Sequence, residues 1–314
     1  MEMEFLKALE SIRCPALDRI MQLFTFFGEE TVFMVLALIL FWCVDKWKGY
    51  YLLSASFLGT ILSQGLKLIC RVPRPWVKDP TFTVVESAKA GATGYSFPSG
   101  HTQGATCSFG GIARMTKRAW LRWAMAGMIV LVGFSRMYLG AHYPSDVGVG
   151  LFLGLVAVLG LYPVFQRARN SEGVMYGFLG VMLVLTLGYL AFVRFGKFPA
   201  EAYEIDVNTK TSNYVNALKN AWSLLGSLVG MIAAFTLDRK TKFSEQAPLP
   251  GQICKVVLGL AILLGIRVGL KAVFSMISDG LVWDALRHFC MVFFAGAIWP
   301  LSFPFWARVG GRRK

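Results

Sequence analysis

The sequence predicts an all-α membrane protein, a polytopic bundle of transmembrane helices. Of its 314 residues, 55% are hydrophobic and only 16% are charged, and the mean hydropathy is +0.54. A water-soluble globular protein of this length needs more polar surface than that. About nine apolar stretches approach the ~20 residues with which a helix crosses a bilayer. They are 31–45, 50–70, 99–114, 121–140, 147–166, 173–193, 214–237, 253–275 and 285–307.

Residues 1–30 precede these stretches and have a different pattern. Apolar side chains recur at helical spacing on both sides of Pro15. We expect an amphipathic helix here, in two pieces, lying at the membrane interface. No signal peptide is visible, because the acidic-leaning segment from Met1 to Arg13 lacks an apolar core. The first spanning helix is therefore expected to act as its own insertion signal.

The basic residues predict the orientation in a plasma or inner membrane. Short cytoplasmic loops retain Lys and Arg, and one set of alternate loops, with the C-terminus, holds sixteen of the 32 basic residues. These are Lys46, Lys48, Arg114, Lys117, Arg118, Arg122, Arg167, Arg169, Arg239, Lys240, Lys242, Lys255, Arg308, Arg312, Arg313 and Lys314. We expect this side and the C-terminus to be cytoplasmic. Topology and an anion site account for most of the +14 net charge, so no nucleic-acid partner is expected.

The chain divides by composition into three regions. After the interfacial segment 1–30, residues 31–170 contain every chemical motif and are expected to form the catalytic helix bundle. Residues 171–314 follow a basic, polar turn and are expected to form accessory transmembrane helices of unknown role. Within the second region, 71–98 is a long stretch rich in proline and glycine, which is typical of a functional loop. The six cysteines have no metal-ligand spacing and are interpreted as small core residues.

Three short segments carry the chemistry, and all fall on the predicted non-cytoplasmic side. They are Lys67-x6-Arg74-Pro75, Pro98-Ser99-Gly100-His101, and Ser135-Arg136-x5-His142-x3-Asp146. Each alone has a structural interpretation: cations at a membrane boundary, a helix cap before a core histidine, or an interfacial ion-pair cluster. Their order and common membrane face favour one shared site, because a site depends on the mutual geometry of its residues.

The residue types in these segments suit phosphoryl transfer. Lys67, Arg74 and Arg136 can surround the phosphate oxygens with positive charge, which supplies most of the catalysis in such reactions. Ser99 and Gly100 stand where a helix begins, so backbone N–H groups face the same anion, and Gly100 leaves room for its oxygens.

The two histidines have separate expected roles. His142 and Asp146 are four residues apart, on one helical face, so the carboxylate can orient a neutral imidazole for nucleophilic attack. His101 then gives a proton to the leaving oxygen and takes one from the hydrolytic water. This scheme requires neither a metal nor a cofactor.

These segments resemble the three signature motifs of the type-2 phosphatidic acid phosphatase superfamily, over about residues 60–150. The resemblance implies phosphate binding by Lys67, Arg74, Ser99, Gly100 and Arg136. It also implies acid–base action by His101, nucleophilic attack by His142 and orientation of His142 by Asp146. The family works without metal on the non-cytoplasmic face, in agreement with the charge pattern. The chain departs from many bacterial members, which stop after about six helices; its architecture is similar to that of glucose-6-phosphatase.

We therefore expect a phosphoric monoester or diphosphate hydrolase that acts on a lipid phosphate or pyrophosphate through a phospho-histidine. Three alternatives stay open: a phosphotransferase to a lipid or glycan hydroxyl, a sugar-phosphate hydrolase, and a non-catalytic lipid-phosphate transporter or sensor. The intact histidines and Asp146 argue against the last, because binding alone needs no nucleophile. The expected partners are the substrate and membrane lipids, with a homodimer left open.

Three further residues are candidates for substrate contact. Arg267 and Lys271 are four apart inside an apolar stretch, where charges are often functional. They could also extend toward the outer surface and pair with Asp279 or Asp284. Tyr95 lies near the second motif, where it could line an entry groove or simply anchor the loop.

Overall fold

The chain folds almost entirely into helices in the computed structural model, which describes residues 1–206, 211–241, 243–278 and 280–309. The α-helices are α1 (Glu2–Ser11), α2 (Pro15–Phe26), α3 (Glu30–Cys43), α4 (Lys46–Cys70), α5 (Pro75–Lys78), α6 (Glu86–Ala90), α7 (Gly100–Ala105), α8 (Gly111–Met115), α9 (Ala119–Tyr138), α10 (Pro144–Ala168), α11 (Glu172–Phe195), α12 (Asn213–Thr241), α13 (Leu249–Ile277), α14 (Leu281–Phe293) and α15 (Phe303–Trp306). π-helical turns cover Thr106–Gly110 and Phe294–Ile298, and 3-10 turns cover Ala200–Ala202 and Trp299–Ser302. A short antiparallel pair joins β1 (Ile205–Asp206) to β2 (Thr211–Ser212). The all-α class is confirmed. The charged residues Lys242, Asp279, Arg312, Arg313 and Lys314 lie outside the described residues.

Within the described part of the chain, six helical segments are long and apolar enough to cross a membrane. They are Lys46–Lys78, Pro144–Ala168, Glu172–Phe195, Asn213–Thr241, Leu249–Ile277 and Leu281–Trp306. A seventh is added if α2 and α3, which are bent by 45° at their junction, count as one span. A multi-pass membrane architecture is confirmed, whereas the predicted count of nine spans is not.

Three of the nine predicted stretches account for most of the difference. Stretch 31–45 forms α3, which has only 14 residues. Stretch 99–114 is divided into α7, a π-helical turn and α8, which together run only from Gly100 to Met115. Stretch 121–140 forms α9, whose 20 residues include Arg122 and Arg136 and are therefore less apolar than a typical span. Short length and internal charge thus lower the count.

The chain forms two compact units that do not follow the chain order. The first comprises Met1–Leu36, Tyr51–Pro163 and Lys197–Ala217. The second comprises Ala37–Tyr50, Val164–Gly196 and Leu218–Lys314. All three motif segments belong to the first unit. The division into an interfacial segment 1–30, a catalytic bundle 31–170 and accessory helices 171–314 assigns roles to the regions, and it stays a prediction.

In the first unit, α10 packs closely against α7 because two glycines leave room. A Cβ added at Gly150 would lie 2.6 Å from the carbonyl oxygen of Ser99, and one at Gly154 would overlap Thr106. Backbone contact at such small residues is typical of membrane helix pairs. This packing fixes the start of α7 beside the start of α10, and so brings the second and third motifs together.

The N-terminal helices also pack into the first unit. Leu6 of α1 lies in a cluster with Phe82 and Tyr143, and Leu17 and Met21 of α2 pack on a cluster that includes Tyr138 at the end of α9. Other apolar side chains of α2 are exposed, among them Ile20, Leu23 and Phe26. Both predicted helical pieces are therefore present, with buried residues in α1 and only partly buried ones in α2, while their amphipathic, interfacial location is not confirmed.

The second unit has its own core. Gly226 and Gly230 of α12 leave room for the backbone of α14 at Ala285 and Phe289. The buried indoles of Trp42 and Trp299 lie 6.4 Å apart between ring centres. A part-buried ion pair joins Lys46 Nζ to Asp238 Oδ1 at 2.7 Å. All six cysteines are free thiols; Cys107 is buried, whereas Cys14 and Cys70 are exposed, so their interpretation as core residues is wrong for these two.

Candidate active site

The predicted residues converge at one end of the first unit's helices. Lys67 lies in the last turn of α4, and Arg74 immediately precedes α5. Ser99 caps α7, and Arg136 lies in the last turn of α9. His142 follows α9 directly, and Asp146 lies in the first turn of α10. Sequence segments up to 79 residues apart therefore supply neighbouring side chains.

His142 and Asp146 form the predicted buried pair. His142 Nδ1 lies 3.2 Å from Asp146 Oδ2, and both side chains are almost fully buried. The same carboxylate oxygen accepts the backbone N–H of Tyr143 at 2.9 Å. Pro144 starts α10, so Asp146, its third residue, reaches back to cap the helix. Helix capping thus fixes the carboxylate that orients the imidazole.

Arg74 identifies the protonated ring nitrogen of His142. Its Nη1 lies 3.0 Å from His142 Nε2, and a guanidinium group can only donate hydrogen bonds. Nε2 must therefore be the acceptor, and the proton lies on Nδ1, facing Asp146. This neutral tautomer leaves the Nε2 lone pair directed at the cations, which is the arrangement that a nucleophilic imidazole requires.

The loop segment 93–96 holds two of the cations in place. Arg74 donates from Nη2 to Thr93 O at 2.9 Å and from Nε to Gly94 O at 3.1 Å. Lys67 Nζ donates to Tyr95 O at 2.6 Å. Gly94 has φ of +70°, a conformation that glycine adopts without steric cost. Backbone carbonyls therefore direct Lys67 and Arg74 toward the site.

Arg136 has unused hydrogen-bonding capacity in the interior. It is 1% exposed, and its Nη1 donates to Thr25 Oγ1 at 2.7 Å. Its Nε and Nη2 are buried without a hydrogen-bond partner among the described residues. Leaving charged donors buried and unpaired is costly. The guanidinium is therefore suited to an anion that binds beside His142.

Ser99, Gly100 and His101 form the opposite wall. Ser99 Oγ accepts from Thr102 Oγ1 at 3.0 Å, and Ser99 N donates to Asp146 O at 3.0 Å. A Cβ added at Gly100 would meet no atom within 4 Å, so this position borders open space. His101 lies close enough to His142 to act on its ring electrostatically. The three residues thus share the site with the His142–Asp146 pair.

The charges around His142 affect its protonation. Burial lowers the pKa of His142 well below its usual value, and the nearby cations Arg74, Arg136 and Lys67 lower it further. Both effects disfavour a second positive charge on the ring. We therefore expect the imidazole to be neutral at physiological pH when no anion is bound.

A pH titration of the ring tests this state. We expect NMR signals of His142, assigned by their loss in His142→Gln, to report protonation only below pH 6.5, the ordinary histidine value. Because a bound dianion favours the protonated ring, adding vanadate should move this midpoint upward. A midpoint above pH 6.5 in the anion-free protein would contradict the electrostatic description.

Sequence reasoning missed two residues that shape the site. Buried Ser96 Oγ donates to Asp146 Oδ2 at 2.5 Å and lies 3.5 Å from His142 Nδ1. Thr25 of α2 contacts Arg136, as described above. Ser96 stands only three residues before Ser99, which was its one sequence signal. Thr25 had none, because it lies in a segment assigned to the interface.

The remaining candidates are placed differently. Tyr95 holds Lys67 with its carbonyl group, and its side chain borders a cavity described below. Arg267 and Lys271 lie on α13, in the second unit, and both side chains are exposed. A role for them in substrate contact stays a prediction. No group of three or more His, Cys, Asp or Glu side chains in the described ranges is arranged to hold a metal ion.

The site lies within a region that matches a known family. The model of the PAP2 superfamily matches residues 48–170, and a second model, of the PAP2 superfamily phosphatase transmembrane extension, matches residues 222–307. Phosphatidylglycerophosphatase B of Bacillus subtilis is 33% identical over 163 residues, which are 48% of this chain and 76% of that protein. The chain belongs to the PAP2 superfamily. The resemblance inferred from the three motifs is thereby confirmed, and the chain is a membrane phosphatase.

Other PAP2 relatives have related names. Undecaprenyl-diphosphatase BcrC of B. subtilis is 28% identical, with 50% of this chain and 80% of that protein covered. Undecaprenyl-diphosphatase of Sulfolobus acidocaldarius is 30% identical, with 48% and 72% covered. The crystal structure of Aquifex aeolicus LpxE has a TM-score of 0.44 and 26% identity, and covers 50% of this chain and 92% of that one. These matches each cover about half of the chain.

Proposed function

We propose that this PAP2 phosphatase hydrolyses a lipid phosphate or pyrophosphate on the non-cytoplasmic face of the membrane, through a phospho-His142 intermediate. The observation that carries the proposal is the His142–Asp146 pair, in which Nδ1 faces the carboxylate and Nε2 faces Arg74. A neutral imidazole oriented in this way is a nucleophile. A site that only binds phosphate would need the cations alone.

In the first chemical step, His142 Nε2 attacks the phosphorus atom and the bond from phosphorus to the leaving oxygen breaks. Burial and the nearby cations lower the pKa of His101, so its ring becomes protonated only when the bound phosphate dianion offsets that positive charge. The protonated His101 then donates a proton to the leaving oxygen, and the product leaves as an alcohol or as a lipid monophosphate. Arg74, Arg136 and Lys67 balance the charge on the transferred phosphoryl oxygens, as positive groups do in phosphoryl transfer generally. When the phosphate group binds, Arg74 Nη1 gives up its hydrogen bond to His142 Nε2 and donates to a phosphate oxygen instead, which frees the Nε2 lone pair.

In the second step, water attacks the phosphorus atom of phospho-His142 while His101 takes the water's proton. The nitrogen–phosphorus bond breaks, inorganic phosphate leaves, and both histidines return to their initial states. Asp146 keeps its contact with Nδ1 throughout and stabilises the positive charge that the ring carries in the intermediate.

Two observations support the choice of substrate and face. The three relatives described above are named for phosphatidylglycerophosphate or undecaprenyl diphosphate, both lipids. The loops that hold the site are opposite to the ends richest in Lys and Arg, which the positive-inside rule assigns to the cytoplasm. A lipid substrate at the outer membrane–water boundary fits both observations.

The test is a phosphate-release assay with purified protein in EDTA. We expect inorganic phosphate from phosphatidate, phosphatidylglycerophosphate, prenyl diphosphate or sphingoid phosphate, and slower release from a sugar phosphate. Intact cells should hydrolyse a water-soluble short-chain analogue without permeabilisation. The proposal is wrong if no lipid substrate releases phosphate, or if activity strictly requires added Mg²⁺. Phosphate release that depends on an added lipid or glycan hydroxyl would instead identify a phosphotransferase.

A further inference from the structure

A cavity of about 590 Å³ opens beside the phosphate site within the first unit. Arg74 and Tyr95 border both spaces, so they connect the cavity to the phosphate cradle. Its volume lies in the range of ordinary small-molecule pockets. We call it the headgroup cavity, because it can receive the part of a substrate that continues beyond the phosphate on the side of Arg74.

One wall of the headgroup cavity comes from outside the region matched by the PAP2 model. Pro199, Glu201, Glu204 and Asn213 line it, whereas that match ends at residue 170. Asn213, Glu201 and Glu204 all lie close enough to Tyr95 to act on its phenol. This wall is therefore next to the site loop at Tyr95, and its carboxylates lie close to the entrance.

The cavity combines both signs of charge. Arg71, Arg74 and Lys89 lie in its wall together with Glu201 and Glu204, so the lining carries three formal positive charges and two negative ones. Arg71 is held at φ of +49°, a left-handed conformation that is uncommon for a residue with a side chain. Neither glutamate forms an ion pair within 4.0 Å with the described residues. The carboxylates thus keep acceptor capacity for a ligand.

The carboxylates of Glu201 and Glu204 favour some leaving groups of the substrate over others. A carboxylate accepts hydrogen bonds but does not donate them, so it favours a hydroxyl group and repels a second phosphate. A purely cationic pocket would do the reverse. Arg71 donates to the carbonyl oxygen of Leu68 at 3.3 Å, and Lys89 Nζ lies 3.9 Å from Glu86 Oε2. Their remaining N–H groups can serve a single negative charge, such as a phosphodiester.

We propose that Glu201 and Glu204 are specificity-determining residues that accept hydrogen bonds from a hydroxylated headgroup, and so favour a glycerol phosphate monoester over a prenyl diphosphate. This inference rests on the proposed function, because it assumes that the phosphate cradle holds the scissile group. It assigns a role to the segment between α11 and α12, which the three motifs do not include.

The experiment compares kcat/KM for short-chain phosphatidylglycerophosphate and for a short-chain prenyl diphosphate. The double variant Glu201→Gln/Glu204→Gln keeps the size of both side chains and removes their charge. We expect kcat/KM for phosphatidylglycerophosphate, divided by kcat/KM for the prenyl diphosphate, to fall roughly tenfold in this variant. The reason is that hydrogen bonds to charged groups are stronger than hydrogen bonds between neutral groups. Glu4→Gln, at an exposed position of α1 outside the cavity wall, is the matched control and should leave the ratio unchanged.

The outcomes are distinct. A ratio that falls in the double variant and not in Glu4→Gln supports the inference. An unchanged ratio, or an equal loss on both substrates, overturns it, because either result leaves the carboxylates without a role in selection. If the unmodified protein hydrolyses neither lipid, the inference is overturned as well, and the proposed function fails with it only if phosphatidate and sphingoid phosphate also release no phosphate.

Discussion

Replacing His142 with alanine is expected to lower kcat for phosphate release by at least ~10⁴-fold, as removal of a catalytic nucleophile does in other enzymes. The reason is that the ring nitrogen Nε2 faces the cations while Nδ1 is fixed by Asp146. Without it no covalent intermediate can form. The measurement is steady-state phosphate release at saturating lipid phosphate in detergent or proteoliposomes.

The matched control is His288→Ala. The chain has three histidines, and His288 lies in the second unit, where its Nδ1 contacts the Asp284 carbonyl oxygen. This variant should retain activity. Substantial turnover by His142→Ala would remove the proposed nucleophile, whereas equal losses in both variants would indicate a general effect on folding.

Replacing Arg136 with alanine is expected to reduce kcat/KM by about 10³-fold, the typical effect of losing an arginine that stabilises a transferred phosphoryl group. Its Nε and Nη2 are buried and have no partner among the described residues, so the anion-free protein gains little from them. Arg136→Ala should therefore unfold at the same temperature as the unmodified protein, or higher. Arg136→Lys should have intermediate activity, because an ammonium group keeps the positive charge but cannot donate two parallel hydrogen bonds to phosphate as a planar guanidinium does.

Anion binding separates this interpretation from a structural one. Vanadate should raise the unfolding temperature of the unmodified protein, since a ligand that binds only the folded state stabilises it, and it should do so less in Arg136→Ala. Arg122→Ala, an exposed position of the same helix, should behave like the unmodified protein. A large loss of stability in Arg136→Ala without vanadate would show that Arg136 serves the fold.

The chemical site could be predicted because its residues come in short, ordered segments. Asp146 must lie near His142 once Pro144 starts a helix, since residues four apart share a helical face. The convergence of Lys67, Arg74 and Arg136 followed from their positions at helix ends that the charge pattern predicts to lie on one side of the membrane. In each case local geometry and membrane topology were sufficient to place the side chain.

Other features depend on contacts that no local pattern encodes. Ser96 contributes to the site only because its loop folds back onto α10, and Thr25 only because α2 packs against α9. The predicted count of nine spans is not confirmed, because apolar runs such as 99–114 do not reveal where a helix breaks or shortens. Tertiary packing within the first unit decides these features.

The most direct test of the central claim is to trap the covalent intermediate. Protein mixed briefly with a ³²P-labelled lipid phosphate and then denatured in alkali should carry label, because a phosphorus–nitrogen bond to histidine survives alkali and is lost in acid. The account predicts that this label maps by mass spectrometry to the peptide containing His142 and is absent from His142→Ala. Label on another residue, or normal turnover in a protein that never becomes labelled, would contradict it.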